Sequence, residues 1–332
     1  MDIDVIVRGT GRFVPERVLT NDDFAQVVET SDEWITARTG IKIRHFVSPG
    51  ETNSLMAAAA ARQALEMAGA EPSDVELIIV PTVTAERIFP ATASIVQARL
   101  GATKAACLDM VAACSGFIYA LSAATAWLRS GEYKNALVIG SEVMSALENF
   151  TDRNVCVLFG DAAAAVYLQA EPRADRERGV LHFDLGSDGT LVPLLYQKAG
   201  GSAHPPTFTT VLNEEHFITM QGQEVFKRAV RKMDETARTV VAKAGHTPDE
   251  IDWFIAHQAN SRIVEAAGRR LGVPPEKVPI NIDHFGNTTS ASIPLLLDEL
   301  NREGKLKAGH KVVLFAFGAG LTWASAYLVW GD

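Results

Sequence analysis

Cysteine is scarce in this 332-residue chain: Cys107, Cys114 and Cys156 are the three present. Three thiols cannot build a disulfide framework, so a hydrophobic core has to carry the fold, and a reducing, cytoplasmic compartment is expected. Basic residues are in deficit, with 31 Lys and Arg against 40 Asp and Glu, a formal net charge of −9. That balance excludes a general nucleic-acid binder, which needs a basic surface to neutralise phosphates. The chain has no low-complexity tract, no clear linker and no metal-ligand spacing among its His, Cys, Asp and Glu, so no metal is expected. A secretory leader is not expected either: the start is acidic, and Arg8, Arg12, Glu16 and Arg17 interrupt the apolar run. What is present is ordinary for a soluble globular enzyme, 47% hydrophobic and 21% charged residues, at a length that buries roughly 75% of the unfolded surface.

One stretch runs against the picture of a soluble protein. Residues 312–330 carry no charge and are long enough to span a bilayer. Gly318-Ala319-Gly320 breaks that run near its middle, however, and both flanks are β-branched or aromatic. Two buried strands joined by a turn are therefore expected, with no membrane association.

The chain also repeats itself faintly. Its first half reads strand 75–80, helix 92–100, strand 105–110, helix 115–129, strand 136–140, strand 163–168. The second half reads strand 251–256, helix 261–271, a short strand near 278–280, helix 290–302, strand 312–317, strand 324–329. A longer helix precedes each series, 54–68 and 224–244, and each ends at a glycine, Gly69 and Gly245. Strand–helix alternation implies parallel pairing with right-handed crossovers. The last strand of each half follows its neighbour without a helix and should form an antiparallel edge. Two similar α/β halves, 1–175 and 176–332, are expected, meeting within 173–179.

The repeat locates the chemistry. The second strand–helix junction carries Ala113-Cys114-Ser115-Gly116 in the first half and Phe285-Gly286-Asn287-Thr288 in the second. His257-Gln258-Ala259-Asn260 follows the second half's first strand. Ligand crevices in parallel sheets lie at such strand ends. A thiol at a helix start sees the positive end of the helix dipole and free amides, which should lower the Cys114 pKa toward the thiolate. Cys107 and Cys156 lack that context and read as small buried hydrophobes. His257 alone could be a structural histidine and Asn287 alone a helix cap. Together, one thiol, one imidazole and one amide are the parts for acyl-thioester chemistry. A papain-like cysteine hydrolase is the other enzyme reading, since the Cys-to-His separation falls within that family's roughly 130–150 residues. Its local cysteine signature is absent, and the strand–helix alternation differs from that fold.

Three motifs then resemble those of the β-ketoacyl-acyl carrier protein synthase III family: Ala113-Cys114-Ser115-Gly116-Phe117, His257-Gln258-Ala259-Asn260 and Gly286-Asn287-Thr288-Thr289-Ser290-Ala291-Ser292. The likeness extends from Gly9 to Trp330. It implies a thiolase-like five-layer αβαβα fold of two duplicated halves with mixed sheets, and a homodimer. It implies that Cys114 takes the acyl group from an acyl-CoA substrate, with no permanently bound cofactor. Malonyl-acyl carrier protein would then decarboxylate, with His257 and Asn287 holding the enolate, in the condensation that initiates fatty-acid synthesis. The amides of Cys114 and Ala319 would hold the tetrahedral oxyanion, on the loop Gly318-Ala319-Gly320. Here the chain departs from the family's three glycines, which leaves the shape of that loop and of the acyl pocket open. The resemblance further implies coenzyme A contacts at Trp34, Arg38, Arg153 and Asn260, and Phe89 reaching the partner's acyl pocket. Lys227, Arg228, Arg262, Arg269 and Arg270 read as solvated helix faces, or, as the resemblance implies, as a docking patch for the acidic carrier. A polyketide-type relative from secondary metabolism and an inactive thiolase-fold partner are the alternatives within the same fold.

Overall fold

A computed structural model describes residues 3–331. The first half runs β1 (Ile3–Phe13), β2 (Arg17–Thr20), α1 (Asn21–Ala25), α2 (Asp32–Thr39), β3 (Ile43–Phe46), α3 (Asn53–Ala68) and β4 (Leu77–Pro81). It continues with α4 (Thr92–Leu100), β5 (Ala106–Met110), α5 (Gly116–Ser130), β6 (Asn135–Glu142) and β7 (Ala162–Pro172). The second half runs β8 (Gly179–Ser187), β9 (Leu195–Gln197), α6 (Phe208–Leu212), β10 (Ile218–Met220), α7 (Gly222–Lys243) and β11 (Trp253–Ala256). It closes with α8 (Ser261–Leu271), α9 (Ile282–Phe285), α10 (Ser292–Arg302), β12 (Lys311–Gly318) and β13 (Thr322–Val329).

Two mixed sheets organise these elements, in the orders β1-β7-β6-β4-β5 and β11-β12-β13-β8. Reversed, the second order is β8-β13-β12-β11, the same arrangement with the β5 equivalent missing. The central strands, β4 and β12 among them, are apolar on both faces, and their alternation sends successive residues to different layers. Leu77 and Ile79 of β4 face α5 and α10, whereas Ile78 and Val80 face α3 and α4. In β12, Val312, Leu314 and Ala316 join the same central helices, and Val313, Phe315 and Phe317 pack on α7 and α8. The result is five layers, α3/α4, sheet, α5/α10, sheet, α7/α8.

The uncharged stretch is the hairpin β12–β13, paired antiparallel from Lys311–Val329 to Gly318–Thr322. No helix among the described residues is long and apolar enough to cross a membrane. Two expectations fail. The final strands β7 and β13 are antiparallel but lie inside their sheets, because β1 and β8 add to their outer sides. Asp4, Arg8 and Arg12 in β1, and Asp184 with Gly186 in β8, obscure the apolar pattern of these two edges. The strand near 278–280 does not form either. Pro275–Lys277 makes a tight turn, Val278 turns into the α7/α8 core, and Pro279 has no N–H to offer a ladder.

Candidate active site

The two halves meet at two helix starts built alike. Ala113–Ser115 and Thr289–Ala291 are single 3-10 turns leading directly into α5 and α10. Each opens on a non-glycine residue in the left-handed region, Ala113 at φ 46° and Thr289 at φ 49°. Such backbone persists only where the surroundings impose it. Cys114 and Ser290 thus hold matching places; the sequence repeat had set the Cys114 turn against 285–288, a few residues early. The opposing sheets approach so closely that glycine is required at each contact. A Cβ on Gly318 would lie 2.7 Å from the Cys114 nitrogen, and one on Gly140 would lie 2.3 Å from the Ser290 carbonyl oxygen.

Cys114 is 8% exposed and lines a cavity of about 780 Å³ together with His257, Asn287 and Gly318. The expected lowering of its pKa is overturned. Burial, reinforced by the Glu142 carboxylate, pushes the thiol up to about 12, against the opposing pull of its own amide and that of Ala319. Helix-start amides act here as foreseen, but desolvation outweighs them. Those same two N–H groups flank the sulfur, which is where an oxyanion hole would need them. Alanine fits at 319 because the left-handed backbone of this loop falls on Gly320, at φ 130°. Thr322 Oγ1, 3.0 Å from the Ala112 carbonyl and 3.2 Å from that of Ala319, ties the loop to the cysteine turn.

Glu142 was not foreseen, although a lone carboxylate closing the apolar run of β6 was a signal. It is fully buried and accepts from the Thr84 hydroxyl at 2.6 Å, the Ser290 hydroxyl at 2.7 Å, and the Val83 and Thr84 amides. Burial raises its pKa.

His257 leaves the end of β11, its amide held by the Phe315 carbonyl at 2.9 Å. The ring is wholly enclosed, and burial pushes its pKa down to about 3, so the imidazole is neutral. Nδ1 lies 2.7 Å from Ser292 Oγ, while Nε2 has no protein partner. The Asn287 backbone pairs with 158–160, donating to the Leu158 carbonyl at 2.8 Å and accepting from Gly160 at 3.1 Å. Its Oδ1 accepts the Thr289 amide at 2.9 Å, so its Nδ2 group remains to donate. Beneath this loop lies Arg44, wholly buried, bonded to Asn21 Oδ1 at 2.7 Å and to the Val157 carbonyl. Nothing in a single charged residue on a short strand announced it. Cys107 and Cys156 are absent from the cavity wall, and burial holds their thiols up at about 11 and about 12.

Trp34, Arg38, Asn260, Lys227 and Arg262 line the same cavity. The Arg38 and Arg153 guanidinium carbons sit 4.6 and 5.2 Å from the Trp34 ring centroid, although Arg153 is outside the wall and donates to the Glu29 carbonyl at 2.8 Å. Asn260 caps α8 through the Arg262 amide and donates to the Arg38 carbonyl, both at 2.9 Å. The structure does not bring every candidate together. Phe89 stands 83% exposed beside Ile88 at 90%, off the cavity. Arg228 lies next to the wall residue Lys227 without lining the cavity. Arg269 and Arg270 sit at the far end of α8, facing Glu265 at 3.5 Å and Asp234 at 3.2 Å.

Five layers from two like halves, joined at a central helix start that carries a thiol, define a thiolase-fold condensing enzyme of the acyltransferase type. Known proteins agree over nearly the whole chain. The family profile 3-Oxoacyl-[acyl-carrier-protein (ACP)] synthase III matches residues 108–189, and that of its C-terminal part matches 241–330. Beta-ketoacyl-[acyl-carrier-protein] synthase III of Caldanaerobacter subterraneus is 49% identical, covering 98% of this chain and 97% of that one. The Desulfitobacterium hafniense protein of the same name is 48% identical, covering 99% and 98%. The crystal structure of 3-oxoacyl-[acyl-carrier-protein] synthase III from Aquifex aeolicus superposes with a TM-score of 0.90 at 43% identity, covering 98% of this chain and all of that one. The chain belongs to the β-ketoacyl-[acyl-carrier-protein] synthase III family, and its reaction is the initiating condensation of fatty-acid synthesis. The papain-like reading falls with the fold, and the polyketide-type reading is not favoured over fatty-acid initiation.

Proposed function

We propose that Cys114 attacks a short acyl-CoA, forming the acyl-cysteine thioester while its proton ends on the departing coenzyme A sulfur. Malonyl-acyl carrier protein then enters the same cavity and loses CO2. The resulting enolate attacks the acyl-cysteine carbonyl, and the released thiolate recovers a proton. The observation carrying this reading is that Cys114, His257 and Asn287, from three separate segments, share one cavity wall. The neutral His257 ring and the free Asn287 Nδ2 can each donate to the enolate oxygen. The Cys114 and Ala319 amides face the tetrahedral oxyanion, where one donor is worth about 3–4 kcal/mol.

At the cavity mouth, Trp34, Arg38, Arg153 and Asn260 bind the coenzyme A nucleotide and pantetheine. Lys227, Arg228 and Arg262 receive the acidic carrier there, with Arg269 and Arg270 further out on α8. The exposed Ile88–Phe89 pair supports a homodimer in which Phe89 enters the partner's acyl pocket. The two halves, 1–175 and 176–332, act as thiolase-like domains, and a cytoplasmic setting suits a site that needs a reduced thiol.

The test separates the half-reactions. His257→Ala and Asn287→Ala should each lower malonyl decarboxylation by 100-fold or more while acylation from acyl-CoA stays within about tenfold, because the enolate exists only in the second step. Equal loss of both steps from Asn287→Ala would reduce that residue to a loop cap.

A further inference from the structure

We infer that Ser292 is a positioning residue whose hydroxyl fixes the proton of His257 on Nε2. The inference rests on the proposed role of His257 as a donor to the enolate, and it names what makes that role possible.

A neutral imidazole carries one N–H, and the nitrogen bearing it is set by the partner of the other. Were the proton on Nδ1, Nε2 would aim a lone pair into the cavity and repel an anionic oxygen. Both residues are buried, His257 at 1% and Ser292 at 2% exposed, so Nδ1 meets the Ser292 hydroxyl and not bulk solvent. Ser292 Oγ stands 2.7 Å from Nδ1. It accepts from the Gln258 amide at 3.4 Å and is also within donating distance of the Thr289 carbonyl at 3.1 Å, so its single proton has two candidate acceptors, Thr289 O and His257 Nδ1. The Gln258 N–H can only donate, so it takes one of the hydroxyl's acceptor sites. The Thr289 carbonyl already receives the Ser292 backbone N–H, which closes the turn before α10. Nδ1, at 2.7 Å, is the nearer acceptor and has no other partner, whereas the Thr289 carbonyl is farther at 3.1 Å and already served, which assigns the hydroxyl proton to Nδ1. Donated there, it makes Nδ1 the acceptor and leaves the N–H on Nε2, the nitrogen with no protein partner. Ser292 opens α10, so its backbone is held by the central helical layer, the rigid support a positioning group needs.

The measurement is made on the intact enzyme with malonyl-acyl carrier protein and with acyl-CoA as separate substrates. Ser292→Ala should lower the decarboxylation kcat about tenfold, the worth of one buried hydrogen bond. KM for the malonyl substrate and the acylation rate should stay within about threefold. Ser292→Thr, which keeps the hydroxyl, should recover most of the loss. In a His257→Ala background, Ser292→Ala should cost nothing further, since there is no ring left to orient. An equal loss in both backgrounds, or no loss in the wild-type background, overturns the inference. Nitrogen-15 NMR of histidine-labelled wild-type enzyme gives an answer without any variant: His257 should show a protonated Nε2, and a protonated Nδ1 overturns the inference. Should His257→Ala decarboxylate normally, it is the donor role itself that fails, a result separate from the tautomer found by NMR.

Discussion

Gly318→Ala concentrates the argument about the catalytic centre in one methyl group. Gly318 ends β12, and its missing Cβ is what allows the strand to touch the cysteine turn. The added carbon would lie 2.7 Å from the Cys114 nitrogen, 3.0 Å from its Cβ and 3.2 Å from its Cα. All three belong to a turn that cannot rotate away, because Ala113 before it and Gly116, Phe117 and Ile118 at the start of α5 are buried. Separation by a few tenths of an ångström is unavoidable, and it moves the Cys114 and Ala319 amides out of register. Overpacking of this kind costs about 1–3 kcal/mol of stability, and displacing one oxyanion donor costs about 10²–10³ in rate. The assay is single-turnover acylation followed by mass spectrometry of the acyl-enzyme, with the melting temperature measured in parallel. We expect a folded protein, a few degrees less stable, that acylates at least 100-fold more slowly. Acylation within threefold of wild type would refute the claim that this contact sets the geometry. Gly201→Ala, at a position with no neighbour within 4 Å, is the control and should change neither quantity.

Cys114→Ala should abolish acyl-enzyme formation, whereas Cys107→Ala and Cys156→Ala, off the cavity wall, should leave turnover within a few fold; acylation surviving only in Cys114→Ala would reverse the assignment. Because burial pushes the Cys114 thiol up to about 12, the free enzyme holds it as the thiol, not the thiolate, at pH 7. Alkylation of the free enzyme by iodoacetamide, read by mass spectrometry, should then rise about tenfold per pH unit from 7 to 9.5, and a plateau below pH 8 would contradict that. Lys227→Glu with Arg262→Glu should raise KM for the carrier substrate several-fold in a salt-dependent way. Arg269→Glu with Arg270→Glu, whose partners are Glu265 and Asp234, should change it less than threefold, and the opposite ranking would move the docking face outward along α8.

Much of this protein could be read from its residues in order. The apolar periods located the central strands and most long helices, and the repeated order of elements exposed the two halves. Glycine punctuation at 318–320 was enough to distinguish a buried hairpin from a membrane span. Cys114 and His257 stood out because each ends an apolar stretch, and Asn287 because it follows a glycine just ahead of a helix start, all of them local features. The edge strands β1 and β8 were missed for a physical reason: their polar side chains are accommodated by ion pairs with distant residues, Asp4 with Arg178, Arg8 with Glu171, Arg12 with Asp298 and Asp184 with Lys243. Pro279 shows the reverse, a β-rich triplet denied its strand by a single missing N–H.

Tertiary structure alone decided the electrostatics. The helix start promised a reactive thiolate, but burial of Cys114 and the nearby Glu142 carboxylate outweigh the amides, and desolvation is a property of the packed interior rather than of sequence neighbours. The same holds for His257, made neutral by enclosure, and for its contact with Ser292, 35 positions away. Arg44 under the Asn287 loop and Gly318 under Cys114 belong to this class as well. Their roles arise where two sheets and a central helical layer are pressed together, at distances no linear pattern encodes.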